Sequence, residues 1–316
     1  MARISIVLPT FNSIETIERA IGSVYAQTFT DWELIVVDDA STDNTVDYVS
    51  TQYGSDARIR ILTQRTNGGP AEARNIALDH ATGAWITLLD SDDAWSPHRL
   101  ATLYASCEGC DFIADNIMTY DVFAKAETGP LFEDFDAEAL TLVDLLRGSV
   151  GTHQVDGGYL KPMMRATFLH ESRLRYNSTL RHGEDFVFYC EALCRNARFC
   201  LMNHHCYLYS TKVGRRSNRS TPTARPTPDP LALSRAIKLL RDKYSESLDP
   251  SQLESLDRFV NGLAECRWPW AFKAARKNRN YLLCLWLFAC HRSVRHEVMT
   301  SLQSETGAMR ALSRAK

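Results

Sequence analysis

The chain has 316 residues, of which 45% are hydrophobic and 23% charged, with a formal net charge of −2; that is an ordinary globular composition with room for one large or two small domains. Such a balance offers no electrostatic case for nucleic acid, and no basic stripe interleaved with aromatics runs through the first two thirds. The nine cysteines are odd in number and scattered, and no leader-like basic and apolar stretch precedes Ile4, so the expectation is reduced thiols in a cytoplasmic protein.

Ile4 to Leu8 is a short apolar run closed by Pro9, which predicts a buried strand entering a loop. Ser13 is placed to cap a helix in which Ile14, Ile17, Ile21, Val24 and Tyr25 recur at helical spacing. The same alternation follows with a strand over 33–37, a helix over 42–53, a strand over 58–62, a helix over 70–80 beginning at Pro70, and a strand over 84–89. Repeated strand and helix of this kind predicts an α/β fold with a mainly parallel sheet flanked by helices. In such sheets ligands bind beyond the carboxyl ends of the strands. Three chemically loaded loops fall there: Pro9 to Asn12, Asp38 to Asp43, and Asp90 to Asp93. Neither a G-x-G-x-x-G after the first strand nor a Walker phosphate loop occurs.

The third loop places three acids in four positions at the end of an apolar strand. Unpaired carboxylates there repel one another and lose hydration unless a cation or strong donors sit among them. In extended chain Asp90 and Asp92 share one side and Ser91 the other. Two hard oxygen ligands plus a substrate diphosphate suit Mg²⁺ or Mn²⁺, which need few protein ligands. The plain alternative is a solvated turn capping a helix that starts near Ser96-Pro97. Cys107-Glu108-Gly109-Cys110 has no second pair at zinc-site spacing and is expected to be two unlinked thiols at a helix end.

Farther on, 111–120 predicts a strand and 124–136 a polar surface excursion. Glu184 and Asp185 stand where a helix dipole favours acids, and Phe186 to Cys194 continue an apolar helical face. Lys212, Arg215, Arg216 and Arg219 supply four cations within eight residues, suited either to diphosphate or to a solvated or membrane-facing loop. Arg74 either serves phosphate at its helix start or pairs with Asp79 or a strand-end acid. His204 and His205 point to opposite sides of a strand and are expected to be structural. A proline-rich linker over 221–230 leads into a helical extension over 231–316, interrupted at Trp268-Pro269-Trp270. The apolar run 281–290 has basic flanks and is too short to span a bilayer, which takes about 20 residues. It either lies in a membrane interface or packs in a helical core.

The ordered set PTFN (9–12), VVDDASTDNT (36–45), NGGPAEARN (67–75), LLDSDD (88–93) and GEDFVF (183–188) closely resembles the family 2 glycosyltransferases of the GT-A fold. The resemblance covers roughly the first 220 residues, with a nucleotide-binding half to about 110 and an acceptor half beyond it. It implies transfer of a sugar, most often from a UDP-hexose, to an acceptor hydroxyl with inversion, here expected on a lipid-linked saccharide in surface polysaccharide synthesis. Carried across, Asp39 accepts from the nucleobase, Pro9, Thr10 and Phe11 line the base and ribose pocket, and Asp90 faces the ribose or a metal-bound water. Ser91, Arg74, Arg215 and Arg216 join the donor side. Asp92 becomes the Mg²⁺ or Mn²⁺ ligand and Asp185 the general base, with a pKa raised by Glu184 and a partly dry pocket. Gly157, Gly158 and Glu184 fall on the acceptor side, where Pro162 to Arg165 fit the floor. Peripheral membrane contact through the C-terminal extension would suit such an acceptor. Processive synthesis is not expected, since no spans and no Q-x-x-R-W occur. The alternatives are a nucleotide-sugar binding protein without turnover and a nucleotidyltransferase, which would want a glycine-rich basic loop after the first strand.

Overall fold

A computed structural model describes residues 3–135, 138–148, 157–211 and 229–277. The apolar runs of the first third become β1 (Ile4–Thr10), β2 (Trp32–Asp38), β3 (Ile59–Thr63) and β4 (Trp85–Leu88), joined by α1 (Ile17–Tyr25), α2 (Thr45–Tyr53) and α3 (Pro70–His80). All four strands are parallel, in the order β3-β2-β1-β4. The winding therefore reverses between β1 and β4, and a crevice opens beyond their carboxyl ends. β1 does not stop at Pro9 but continues to Thr10, with Pro9 opposite Val37. On its other edge, pairing with β4 ends at Val7, so the missing N–H of Pro9 breaks no ladder bond. The helices α1 and α2 each start three residues later than expected, because Asn12 to Thr16 and Ser41 to Asn44 are spent on loop contacts. The buried face of α1 is Ile17, Ala20, Ile21 and Val24, and Ile14 and Tyr25 lie outside it.

After β4 come β5 (Ala94–Trp95), α4 (Arg99–Ala105), β6 (Phe112–Asp121), β7 (Ala126–Pro130), β8 (Ala139–Leu140) and α5 (Leu142–Gly148). A single 3₁₀ turn, Gly157–Tyr159, precedes β9 (Met163–Arg165), α6 (Ala166–Ser172), α7 (Glu184–Cys194) and β10 (Phe199–Ser210). The excursion after β6 is partly ordered as β7, which folds back on β6 as an exposed hairpin strand. β9 inserts antiparallel between β4 and β6, and β10 lies parallel to β6. The sheet is thus mixed, with parallel pairing over the half that carries the loaded loops. Met163 and Met164 are wholly buried on opposite faces of it, so their side chains form core and not an acceptor floor.

α8 (Pro230–Lys243) and α9 (Pro250–Lys277) follow. Asp229 caps α8 by accepting from the N–H groups of Leu231 and Ala232 at 3.0 and 3.1 Å, and Pro230 fills the first helical position, where no N–H is needed. Both helices join the core built around α7: Ile237, Leu240, Leu256 and Phe259 are buried, and Phe259 stacks on Phe186 at 4.9 Å. The backbone of α9 stays helical through Trp268-Pro269-Trp270, where an interruption was expected; proline removes one helical bond without obliging the chain to leave the helix. The cations at 212, 215, 216 and 219, most of the linker, and the apolar run 281–290 lie outside the described residues. No described helix is long and apolar enough to cross a membrane.

The cysteine reading needs correction. Cys110 is bonded to Cys200 with a Cα separation of 6.1 Å, while Cys107 is free and buried. Cys110 leads into β6 and Cys200 sits on the neighbouring β10; the two are 90 residues apart, so their spacing in the chain carries no sign of the pairing.

Candidate active site

The loops at the strand ends hold one another by side-chain to backbone bonds. Asn12, in a left-handed conformation, accepts from the N–H of Thr42 at 2.7 Å and donates its own N–H to Ser41 Oγ at 2.8 Å. The adjacent acids divide the work. Asp38 accepts from Ser41 N–H at 2.9 Å, whereas Asp39 reaches the glycine loop and accepts from Gly68 N–H (2.6 Å), Gly69 N–H (2.8 Å) and Gln64 Nε2 (2.9 Å). Burial pushes the Asp39 carboxyl up, and the two glycine amides oppose it. Beside it Thr10 is buried with no partner for its Oγ1, Pro9 closes β1, and Phe11 is half-buried.

The acids after β4 are not a solvated turn. Asp93 is buried, accepting from Tyr207 OH and from Ser210 N–H, both at 2.8 Å. Burial and the nearby Asp92 and Asp90 push its carboxyl well above the usual range. Tyr207 also accepts from Asp90 N–H at 3.2 Å, and Ser91 Oγ meets Ser13 Oγ at 2.8 Å. Arg19 on α1 donates to the backbone carbonyl of Asp92 and to Ser210 Oγ. The loop is therefore pinned through its backbone from α1 and β10.

The centre of the site is a buried cluster of two cations and three carboxylates. Arg74, on α3, lies 3.0 Å from Asp90, 2.6 Å from Glu184 and 3.2 Å from Asp185. Lys161 lies 2.6 Å from Asp185 and 3.2 Å from Asp90. Of the expected partners for Arg74, the strand-end acid is right, together with the two acids of α7; Asp79 pairs with Arg175 instead. Burial alone would raise Asp90, but Lys161 and Arg74 hold it down at about 2. Asp185 moves the other way, raised by burial and by Glu184 and Asp90 against the pull of Arg74 and Lys161. Its Oδ1 is buried without a hydrogen-bond partner. Gly157 and Gly158 sit in the 3₁₀ turn just ahead of Lys161, and a Cβ on Gly157 would fall 2.5 Å from Leu145. That contact explains a glycine there by packing. His205 stands 3.8 Å from Asp134, and among the described residues no group of three His, Cys, Asp or Glu is arranged to hold a metal by itself.

Sequence reasoning missed Lys161, Arg99 and Tyr207. None of the three lies in a recognisable motif, and only Lys161 stands alone in an apolar stretch. The available signal was a lone lysine in Tyr159-Leu160-Lys161-Pro162-Met163-Met164, since a charge inside such a run is costly unless paired.

A mixed sheet whose parallel half ends in acid-bearing loops, with a carboxylate and cation cluster across the crevice, defines a GT-A fold. Solved structures agree on that architecture. Staphylococcus aureus TarS 1-349 in complex with UDP-GlcNAc aligns with a TM-score of 0.64 at 23% identity, covering 83% of this chain and 72% of that one. The mannosyltransferase PcManGT from Pyrobaculum calidifontis, in complex with GDP-Man and Mn²⁺, aligns at 0.56 and 17% identity over 98% and 87%. Residues 5–142 match the family model of glycosyl transferase family 2, so the chain carries a domain of that family over that stretch. Among its relatives, succinoglycan biosynthesis protein ExoU of Rhizobium meliloti is 37% identical over 209 residues, 64% of this chain and 60% of ExoU. The UDP-Glc:alpha-D-GlcNAc-diphosphoundecaprenol beta-1,3-glucosyltransferase WfgD of Escherichia coli is 45% identical over 97 residues, 31% of this chain and 38% of WfgD. The chain thus spans about three fifths of ExoU and less of WfgD.

Proposed function

We propose that the chain is an inverting glycosyltransferase that moves a hexose from a UDP-sugar to an acceptor hydroxyl, on a lipid-linked saccharide destined for a bacterial surface polysaccharide. The observation that carries this reading is Asp185: a buried carboxylate at a helix start, raised in pKa, with one oxygen lacking a hydrogen-bond partner. Those are the properties of a general base held for a hydroxyl. The names of ExoU and WfgD and the UDP-GlcNAc complex of TarS support the donor class and the polysaccharide setting.

In this reading Asp185 Oδ1 takes the proton of the acceptor hydroxyl, whose oxygen bonds to the anomeric carbon from the face opposite the diphosphate. The bond from that carbon to the diphosphate oxygen breaks and its electron pair leaves with UDP, so an α-linked donor yields a β-linkage. Asp39 and Thr10 serve the nucleobase and ribose, with Pro9 and Phe11 as apolar walls, and Ser91 fixes the acid loop. Arg74 belongs to the donor and base cluster; Arg215 and Arg216 are proposed for the diphosphate. Gly157, Gly158 and Glu184 border the acceptor side.

The acids after β4 also bear on a metal. Asp90 is matched to Arg74 and Lys161, and Asp93 to Tyr207 and Ser210. Asp92 is proposed as the protein ligand for Mg²⁺ or Mn²⁺, with diphosphate oxygens and water supplying the rest, which suits ions that keep most of their hydration. When bound there the ion supplies Lewis-acid compensation of the diphosphate charge. Work at the cytoplasmic face of the membrane, with peripheral contact through 281–290, completes the proposal.

Hydrolysis of a panel of nucleotide sugars, with and without Mn²⁺, tests it without a known acceptor. Metal-dependent UDP release from one donor is expected in the wild type, abolished in Asp92→Ala and lowered at least about 100-fold in Asp185→Asn. Absence of both turnover and metal-dependent UDP affinity by calorimetry would overturn it.

A further inference from the structure

Lys161 is absent from every motif that marks the family in this chain, yet it sits between the strand-end acid and the proposed base. We propose that Lys161 is the positioning residue for Asp185, occupying Oδ2 so that Oδ1 alone is presented to the acceptor hydroxyl; this rests on Asp185 being the base.

The backbone beneath Lys161 is held with unusual completeness. Three consecutive carbonyls each accept from a side chain of a different element. Leu160 accepts from Tyr189 OH on α7 at 2.7 Å, Lys161 from Arg99 Nη2 on α4 at 2.5 Å, and Pro162 from Thr87 Oγ1 on β4 at 3.3 Å. Arg99 is itself immobilised. It is wholly buried, forks onto Asp115 through Nε at 3.1 Å and Nη2 at 2.8 Å, and lies between the rings of Trp95 and Tyr207 at 4.8 and 5.1 Å. A buried arginine with its carboxylate and two aromatic faces is a rigid support for the loop it bonds.

From that support the lysine chain delivers its ammonium into the cluster, 2.6 Å from Asp185 Oδ2 and 3.2 Å from Asp90 Oδ2. Burial opposes the charged ammonium, but Asp185 and Asp90 outweigh it and keep the lysine protonated. Asp185 Oδ1 then has no hydrogen bond, only the ion pair with Arg74 at 3.2 Å. The ammonium therefore selects which carboxylate oxygen can take a proton. It also ties the donor-side acid to the acceptor-side base, so the two halves of the site share one rigid link.

The charged and titratable groups facing Asp185 are Arg74 from α3, Asp90 from the end of β4, Lys161, Glu184 and Tyr189 from α7, and Tyr176 from the loop before α7. Removing Lys161 leaves one cation among three carboxylates and moves Asp185 further up. A carboxylate base acts when ionised, so the acidic limb of the rate profile must move to higher pH.

The test is the pH profile of hydrolysis, with Mn²⁺, of whichever of UDP-glucose, UDP-galactose or UDP-N-acetylglucosamine the wild type turns over fastest. In Lys161→Met the acidic limb is expected to rise by roughly one to three pH units, with kcat at neutral pH down about 100-fold and UDP affinity by calorimetry nearly unchanged. Lys161→Arg keeps the charge and should return the limb towards its wild-type position. A carbon-13 carboxyl titration of Asp185, identified by its loss in Asp185→Asn, reads the same shift without turnover. An unmoved limb or midpoint in Lys161→Met overturns the proposal, as does a limb shared by the Met and Arg variants. A rate loss matched by an equal loss of UDP affinity also overturns it, by assigning Lys161 to the donor. Full hydrolysis by Asp185→Asn would instead overturn the base assignment itself.

Discussion

Asp90, Asp92 and Asp93 are neighbours in one loop, yet the structure gives them different chemistry through their partners. Asp90 is held ionised by two cations, whereas Asp93 is buried against a phenol and a backbone amide and is pushed well up. A raised carboxyl stabilises the fold below its ordinary value and loses that contribution as pH climbs through the folded value. Asp93→Asn, measured in metal-free protein, is therefore expected to raise the unfolding free energy at pH 8 by an amount of the order of 1 kcal/mol, read in urea unfolding. The gain should shrink as the pH is lowered to 4. A variant less stable than wild type at both pH values would show that the ionised carboxylate is needed by Tyr207 and Ser210.

At the scale of elements, the start of α3 shows how a loop can be specified by one backbone angle. Gly69 has φ of +88°, and a Cβ there would lie 2.3 Å from the Arg181 guanidinium. Its amide and that of Gly68 hold Asp39, while Arg181 holds Asn67 at 3.0 Å. Gly69→Ala should thus strain the turn by about 1–3 kcal/mol and dislodge Arg181. It is expected to weaken UDP binding more than it lowers the unfolding temperature, since Asp39 loses its orientation. Calorimetry with UDP beside thermal unfolding checks this, and unchanged affinity would detach Asp39 from the nucleotide.

For the whole molecule, the helices after the linker are structural partners of the catalytic half. Phe259 of α9 stacks on Phe186, one residue after Asp185, and both are nearly inaccessible to solvent. Phe259→Ala is expected to cost about 3–5 kcal/mol in urea unfolding, within a single cooperative transition. A separate early transition for α8 and α9, with the remainder unaffected, would show that they fold as an independent unit.

Local signals were enough for the alternation of strands and helices, the helix that begins at Pro70, the acids of the strand-end loops and the helix start at Glu184. Each depends on spacing within about ten residues, where apolar periodicity, glycine and proline act directly on the backbone. They also carried the family. Hidden from the sequence were the pairing of Cys110 with Cys200, the insertion of β9 between β4 and β6, and the cluster in which Arg74 and Lys161 meet three acids brought from β4 and α7. Those contacts join residues far apart in the chain, and only the order of strands in the sheet decides which distant charges are buried together. The sequence by itself therefore determined the kind of fold and the acids it carries. Tertiary structure decided which of those acids are neutralised, by which cations, and which carboxylate oxygen is buried without a hydrogen bond.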